Sequence, residues 1–445
     1  MNRIACLMLV LLAVAAVFAG CRREEEVDLI VVSPHTEPVQ DEFERGFNAW
    51  HQARYGTPVR VEWRDIGGTA QITSYVRTQY EHSGSSGLDV FFGGGHPAHK
   101  ELAAQGLLVP LALSEETLAQ IPERIKGVRQ RDAENRWVGA CVSSFGILVN
   151  AGLAERTGRP VPASWADLAA PAMVDQVSTA GPKSGSGKAA YELILQSAPD
   201  WPAGWQRLLS FWANCKLFTE GASDVPDRII NGEVLAGTCI DYYAYTLLDD
   251  TSLRFVLPVE SAVFTPDPIA VLKGAPHPEM AQRFVQYVLS AEGQALWCLP
   301  AGAPGGPVKH ALYRQPIRRD TYETCRGRML EPLVDVYTFG SDFELDEEMQ
   351  GLRVSHLLGR LMHAAAVDND QRLRQAWRAL IEQGFPADKL AVFLALPDDL
   401  ATEEAMVATA RRIADLERAG DDRALQTLEA AWRNYFRQKY QSLLD

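Results

Sequence analysis

Apolar residues recur along this chain in two rhythms. Short apolar runs at 27–32, 59–63 and 88–92 have the length and flanking loops of buried strands. Between them, apolar positions return every three to four residues. Phe43, Phe47 and Trp50 fall on one face of a helix predicted over 39–55, and Ile72, Tyr75, Val76 and Tyr80 mark the next. Strand, helix, strand, helix, strand is the pattern of a parallel α/β sheet, in which ligands sit at loops beyond the carboxyl ends of the strands. His35, Gly67-Gly68-Thr69 and Gly93-Gly94-Gly95-His96 occupy such loops.

The alternation resumes in the middle of the chain. Residues 138–150 are strand-like, 174–178 is a strand, and Gly181-Pro182-Lys183-Ser184-Gly185-Ser186-Gly187 leads into a helix over 188–197. Residues 234–240 form a strand ending at Asp241-Tyr242-Tyr243. Residues 253–273 give two extended segments, and 278–298 a helix pair broken near Ser290. From about 341 onward the spacing is helical throughout, as at Leu352, Leu357, Leu361 and later Leu425, Leu428, Trp432.

The first twenty-six residues differ from the rest. Arg3 precedes an apolar run ending at Phe18-Ala19-Gly20, and Cys21 and the charged stretch Arg22-Arg23-Glu24-Glu25-Glu26 follow. This is the form of a cleaved export signal. A Cys at the cut resembles the lipobox of bacterial lipoproteins, which implies lipidation of Cys21, a tether at 21–26 and a place outside the cytoplasmic membrane. The formal net charge of −14 argues against nucleic-acid binding, which needs a positive footprint. Cys141, Cys215, Cys239, Cys298 and Cys325 include no C-x-x-C pair and are expected as buried thiols with one disulfide at most.

Several stretches are similar to type 2 periplasmic solute-binding proteins of ABC importers. They are Gly139 to Asn150 with Pro162-Ala163-Ser164-Trp165-Ala166-Asp167-Leu168; Ser86-Gly87-Leu88-Asp89-Val90-Phe91-Phe92-Gly93-Gly94-Gly95; and Phe284-Val285-Gln286-Tyr287-Val288-Leu289-Ser290-Ala291-Glu292-Gly293-Gln294. The resemblance spans about 27–325 and is nearest to the ferric-iron-binding branch and its relatives for phosphorylated solutes. It implies an α/β fold of two lobes joined at a hinge, with the ligand in the interlobe cleft and ABC permease subunits as partners of a monomer without catalysis or cofactor. Lobe 1 is expected at 27–137 and 262–325, lobe 2 at 138–261, and a helical region at 326–445.

By that resemblance His35, Tyr242 and Tyr243 would ligate Fe(III), a hard cation suited to phenolate. The branch's Glu has no counterpart, since its loop holds Gly94, Gly95 and His96. Gly68, Thr69 and Asp241 join the candidate shell. Ser184, Gly185 and Ser186 would hold an anion at a helix N-terminus, either one accompanying the metal or the phosphate of an organic ligand. The expected ligand is therefore Fe(III), with a synergistic anion, and the alternative in the same role is a small phosphorylated or other anionic organic solute. A sensor or interaction role, with the helical region docking a partner, is the alternative of another class.

From the residues alone, Tyr242 and Tyr243 serve equally as a packed strand end, His35 as a solvated loop residue, and Ser186 as a helix cap. His96 and His99 share a helical face without a third metal ligand. The stretch before Lys188 misses the nucleotide-binding loop: Pro182 replaces its first glycine and Ala189 its magnesium-binding hydroxyl. No G-x-S-x-G occurs, and Asp368-Asn369-Asp370 lacks the Gly and distal Glu of a calcium loop.

Overall fold

The computed structural model describes residues 27–445. Cys21, the export signal and the 21–26 tether lie outside the described residues.

Two sheets form the frame. The seven-stranded sheet runs in the order Gln315–Pro316, Val138–Ser143, Thr265–Leu272, Val90–Phe92, Val27–Val32, Val59–Arg64, with Leu108–Val109 also on Thr265–Leu272. Val27–Val32 is parallel to both Val59–Arg64 and Val90–Phe92, so the loops after these three strands share one edge. Thr265–Leu272 returns antiparallel between Val90–Phe92 and Val138–Ser143. The five-stranded sheet runs Cys215–Thr219, Val177–Ala180, Ala236–Ile240, Phe145–Asn150, Leu253–Val256.

The chain passes from the first sheet to the second at Ser144 and returns between Leu253–Val256 and Thr265–Leu272. Residues 138–150, expected as one strand of lobe 2, are thus two strands in different sheets. The first lobe extends to Ser143 rather than 137, because Val138–Ser143 pairs with Thr265–Leu272 and Gln315–Pro316.

Helices cover the sheets where the periodicity places them. Glu37–Tyr55 buries Phe43 and Phe47 and ends at Gly56, whose φ of 75° suits glycine. Phe43 packs edge-on against Phe92 at 5.3 Å and tilts against Trp297 at 4.5 Å. The predicted break near Ser290 is a helix cap, with the Ser290 hydroxyl accepting the Gly293 N–H at 3.1 Å.

The region from 326 onward is not a separate body. Val336 enters the core of the first lobe. Leu357, Leu361, Trp377, Trp432 and Phe436 share one core with Trp165, Trp205 and Trp212 of the second. Buried indoles fasten this seam: Trp201 donates to the Leu400 carbonyl at 3.0 Å, Trp205 to Leu394 at 2.8 Å, and Trp377 to Asn214 Oδ1 at 2.7 Å. Arg353 and Glu192, both buried, pair at 2.8 Å.

The extension also reaches the first lobe. Asp346 exchanges two hydrogen bonds with Gln196 of the second lobe, at 2.7 and 3.0 Å. The next residue, Glu347, pairs with Lys100, lies 3.0 Å from Arg124, and accepts the Arg129 N–H at 3.1 Å. Two consecutive residues thereby brace both lobes.

Candidate functional site

The three loops at the shared edge of the first sheet converge. A Cβ on Gly94 would lie 2.9 Å from Thr69 Oγ1, and one on Gly93 would lie 2.6 Å from the His35 ring. Both glycines have a φ of +89°, so the backbone here needs residues without a side chain. Gly68 precedes the helix Thr69–Ser83 as its N-cap.

His35 lies within this junction, 7% exposed. Its ring meets Phe92 edge-on at 4.7 Å, and its Nε2 lies 2.8 Å from Asp267 Oδ2. The same Asp267 oxygen accepts from Arg314 Nη1 at 3.2 Å, while Oδ1 accepts the Gly95 N–H at 3.1 Å. Burial would raise the Asp267 pKa, but His35, Arg314 and the Gly95 N–H outweigh it and hold the group ionised, well below the usual carboxylate range.

The second lobe meets this cluster through Tyr242. The helical turn Asp241–Tyr245 follows the strand Ala236–Ile240. A strand would point adjacent tyrosines to opposite faces; the turn brings Tyr242 and Tyr243 to a ring separation of 4.5 Å. The Arg314 guanidinium carbon stands 3.7 Å from the Tyr242 ring centroid, a cation–π contact from the first lobe to the second. Burial pushes the Tyr242 phenol pKa up, with Arg314 opposing.

Asp241 is 2% exposed and faces the crossover. Its Oδ2 accepts both the N–H and the hydroxyl of Ser144, and its Oδ1 accepts the Tyr242 N–H at 2.7 Å. Burial raises its pKa to about 6, and the Ser144 hydrogen bonds limit the rise.

His35, Gly94, Gly95, Tyr242 and Tyr243 thus gather around Asp267 and Arg314, two residues missed in the sequence pattern. His96 turns elsewhere: its Nε2 lies 3.7 Å from Glu347, and burial lowers its pKa to about 4. His99 is stacked on Phe91 at 4.3 Å and bonds the Gly95 carbonyl at 3.2 Å. Ser184 caps its own helix through the Gly187 N–H at 3.1 Å. Among the described residues, no hydrogen bond or ion pair joins Ser184, Gly185 or Ser186 to Tyr242 or Arg314.

Residues 84–319 match the bacterial extracellular solute-binding protein family. The chain belongs to that family. Curated relatives include the phosphoglycerate transport regulatory protein PgtC of Salmonella typhimurium, 29% identical over 283 residues, which are 62% of this chain and 66% of the relative. This solute-binding protein also shares its fold with solved structures. The periplasmic binding protein AfuA of Actinobacillus pleuropneumoniae, with fructose-6-phosphate bound, superposes with a TM-score of 0.55 at 18% identity, covering 80% of this chain and 99% of that one. Iron-bound HitA of Pseudomonas aeruginosa gives a TM-score of 0.51 at 21% identity, covering 74% and 99%. The fold is the two-lobe type 2 periplasmic binding protein fold, with the C-terminal helices as an extension of it.

Proposed function

We propose that this chain captures a small organic anion, foremost a phosphate ester, between its lobes and delivers it to an ABC permease. The lipid expected on Cys21 would keep it near that partner on the outer side of the membrane. The observation that carries the reading is Arg314. Its guanidinium is fixed where the lobes meet, buried at 7% exposure, with Tyr242 on one face and Asp267 on one edge. Guanidinium presents planar donors that suit phosphate and carboxylate oxygens. AfuA with its bound sugar phosphate and the name of the Salmonella relative support the same solute class. That relative's regulatory name also supports the sensing alternative.

Fe(III) is the second reading, favoured by the Tyr242–Tyr243 contact and by iron-bound HitA. Against it stands the fixed cation. An Fe(III) ion there would be repelled by the Arg314 guanidinium, a repulsion that the ionised Asp267 3.2 Å from it and any phenolate would offset only in part. The Nε2 of His35, the third expected ligand, is engaged by Asp267, which leaves only its Nδ1 without a partner.

Calorimetric titration with 3-phosphoglycerate and fructose 6-phosphate tests the proposal. Saturable binding of either, with no visible absorbance band on adding ferric citrate, is the expected result. A ferric band without phosphate-ester binding would overturn it.

A further inference from the structure

A cavity of about 400 Å³ lies between the start of the helix Gly185–Gln196 and the C-terminal extension. That is room for a compact metabolite. Pro182, Lys183 and Lys188 form one wall; the other comes from the helical stretch 353–368, with Glu417, Glu429 and Arg433 behind it. Its lining shares no residue with the His35, Asp267, Arg314 and Tyr242 cluster.

The charges around the cavity do not balance. Each acidic group there is already engaged. Arg360 holds Glu417 at 2.8 Å and also Glu429, His356 lies 2.5 Å from Glu417, and Arg433 holds Asp368 at 2.7 Å. The ammonium groups of Lys183 and Lys188 have no hydrogen bond or ion pair among the described residues. Lys188 is half-buried, and desolvation lowers its pKa, opposed only by the more distant Glu417. Lys188 also stands in the first turn of its helix, whose backbone adds positive potential. In a chain of net charge −14, the lining sets Lys183, Lys188, Arg360 and Arg433 against Asp368, Glu417 and Glu429, an excess of one positive charge that falls on the lysine wall.

The walls are built to meet there. A Cβ on Gly359 would lie 2.8 Å from the Pro182 carbonyl oxygen and 3.5 Å from Lys188 Cδ, so glycine allows the extension to approach this closely. The facing helix is widened by two π-helical turns, Arg353–Leu357 and His363–Val367, which carry His356 and His363. Turns of this kind are uncommon and frequently accompany functional sites.

We propose that this cavity is a second anion site, separate from the interlobe cleft, which takes a compact polyanion across Lys183 and Lys188. Occupancy would tie the second lobe to the helix that begins at Glu347.

Inorganic pyrophosphate is the probe, titrated into the full chain carrying Arg314→Ala to disable the cleft. The expected result is saturable binding, weakened at least about tenfold by adding Lys183→Ala and Lys188→Ala, the loss of about 1.4 kcal/mol or more. No saturable binding, or an affinity unchanged by the lysine substitutions, overturns the proposal. Should the variants fail to fold, lysine acetylation of the wild-type chain gives the answer by mass spectrometry. Pyrophosphate should slow modification of Lys188 several-fold while leaving exposed Lys273 unchanged; equal rates at Lys188 with and without the probe overturn the site.

Discussion

Asp241 accepts both the backbone N–H and the hydroxyl of Ser144 through a single carboxylate oxygen, at 2.8 and 2.9 Å. Ser144 is the residue at which the chain leaves one sheet for the other, so this carboxyl group fixes a crossover strand to the turn carrying Tyr242. Burial raises its pKa from 3.8 to about 6. The folded protein then binds this proton more tightly than the unfolded chain does. The resulting stabilisation is full below pH 3.8 and is lost as pH rises through about 6. The loss is up to about 3 kcal/mol. Urea unfolding of wild type and Asp241→Asn at several pH values should show wild type losing stability relative to the variant across that window. A difference independent of pH would refute the assignment.

Gly93 leaves the space that His35 occupies. An alanine there would bring a Cβ within 2.6 Å of the imidazole on a backbone of φ +89°. Gly93→Ala should cost roughly 1–3 kcal/mol in unfolding free energy and displace His35 from Asp267. Loss of the His35–Asp267 coupling in a double-mutant cycle on the Gly93→Ala background checks this.

Glu347 anchors the extension to the first lobe while its neighbour Asp346 holds the second. Lys100 and Arg124 are both partly exposed, which moderates the energy. Glu347→Ala should lower stability by about 1–2 kcal/mol. It should also speed amide exchange in the helix His96–Ala104 and in the hairpin strands Arg124–Ile125 and Val128–Arg129. Unchanged exchange there would show that the brace does not couple the lobes.

Cys298 and Cys325 are free thiols in contact. A hydrogen bond from Cys298 lowers the Cys325 pKa, and Arg328 stands 4.0 Å from its sulfur. Thiolate is the form that attacks disulfides. Both thiols are buried, so oxidised glutathione reaches them only through local opening; once opened, Cys325 should form a mixed disulfide that Cys298 resolves. The two sulfurs would then be joined as the glutathione disulfide is broken, and the two cysteine protons leave on the two glutathione thiols released. Alkylation mapping should show these two cysteines protected, with Cys141, Cys215 and Cys239 still reduced.

The sequence carried the parts of this protein that depend on local pattern. Phe43 and Phe47 mark a helix face and the Gly93–Gly95 run marks a loop, whereas the Tyr242–Tyr243 pair and His35 point to the cleft only through the family resemblance. Asp267 and Arg314 were illegible because their meaning is long-range. Asp267 sits between two prolines on a strand with an irregular register, and meets His35 only through sheet pairing. Arg314 follows a stretch without periodicity and is placed by its N–H on the Trp297 carbonyl. The break at Ser144 was hidden because apolar residues run on both sides of it. The extension's helices were evident from spacing, but spacing does not say which core receives Trp377 and Trp432.

Titration of 3-phosphoglycerate into wild type, Arg314→Ala and Tyr242→Phe tests the central claim most directly. An anion held by the guanidinium predicts that Arg314→Ala weakens binding by about a hundredfold, as the loss of charge-assisted hydrogen bonds does. Tyr242→Phe keeps the ring under the guanidinium and should change affinity less than about fivefold. Affinity unchanged in Arg314→Ala, together with a ferric absorbance band that Tyr242→Phe abolishes, would contradict the account.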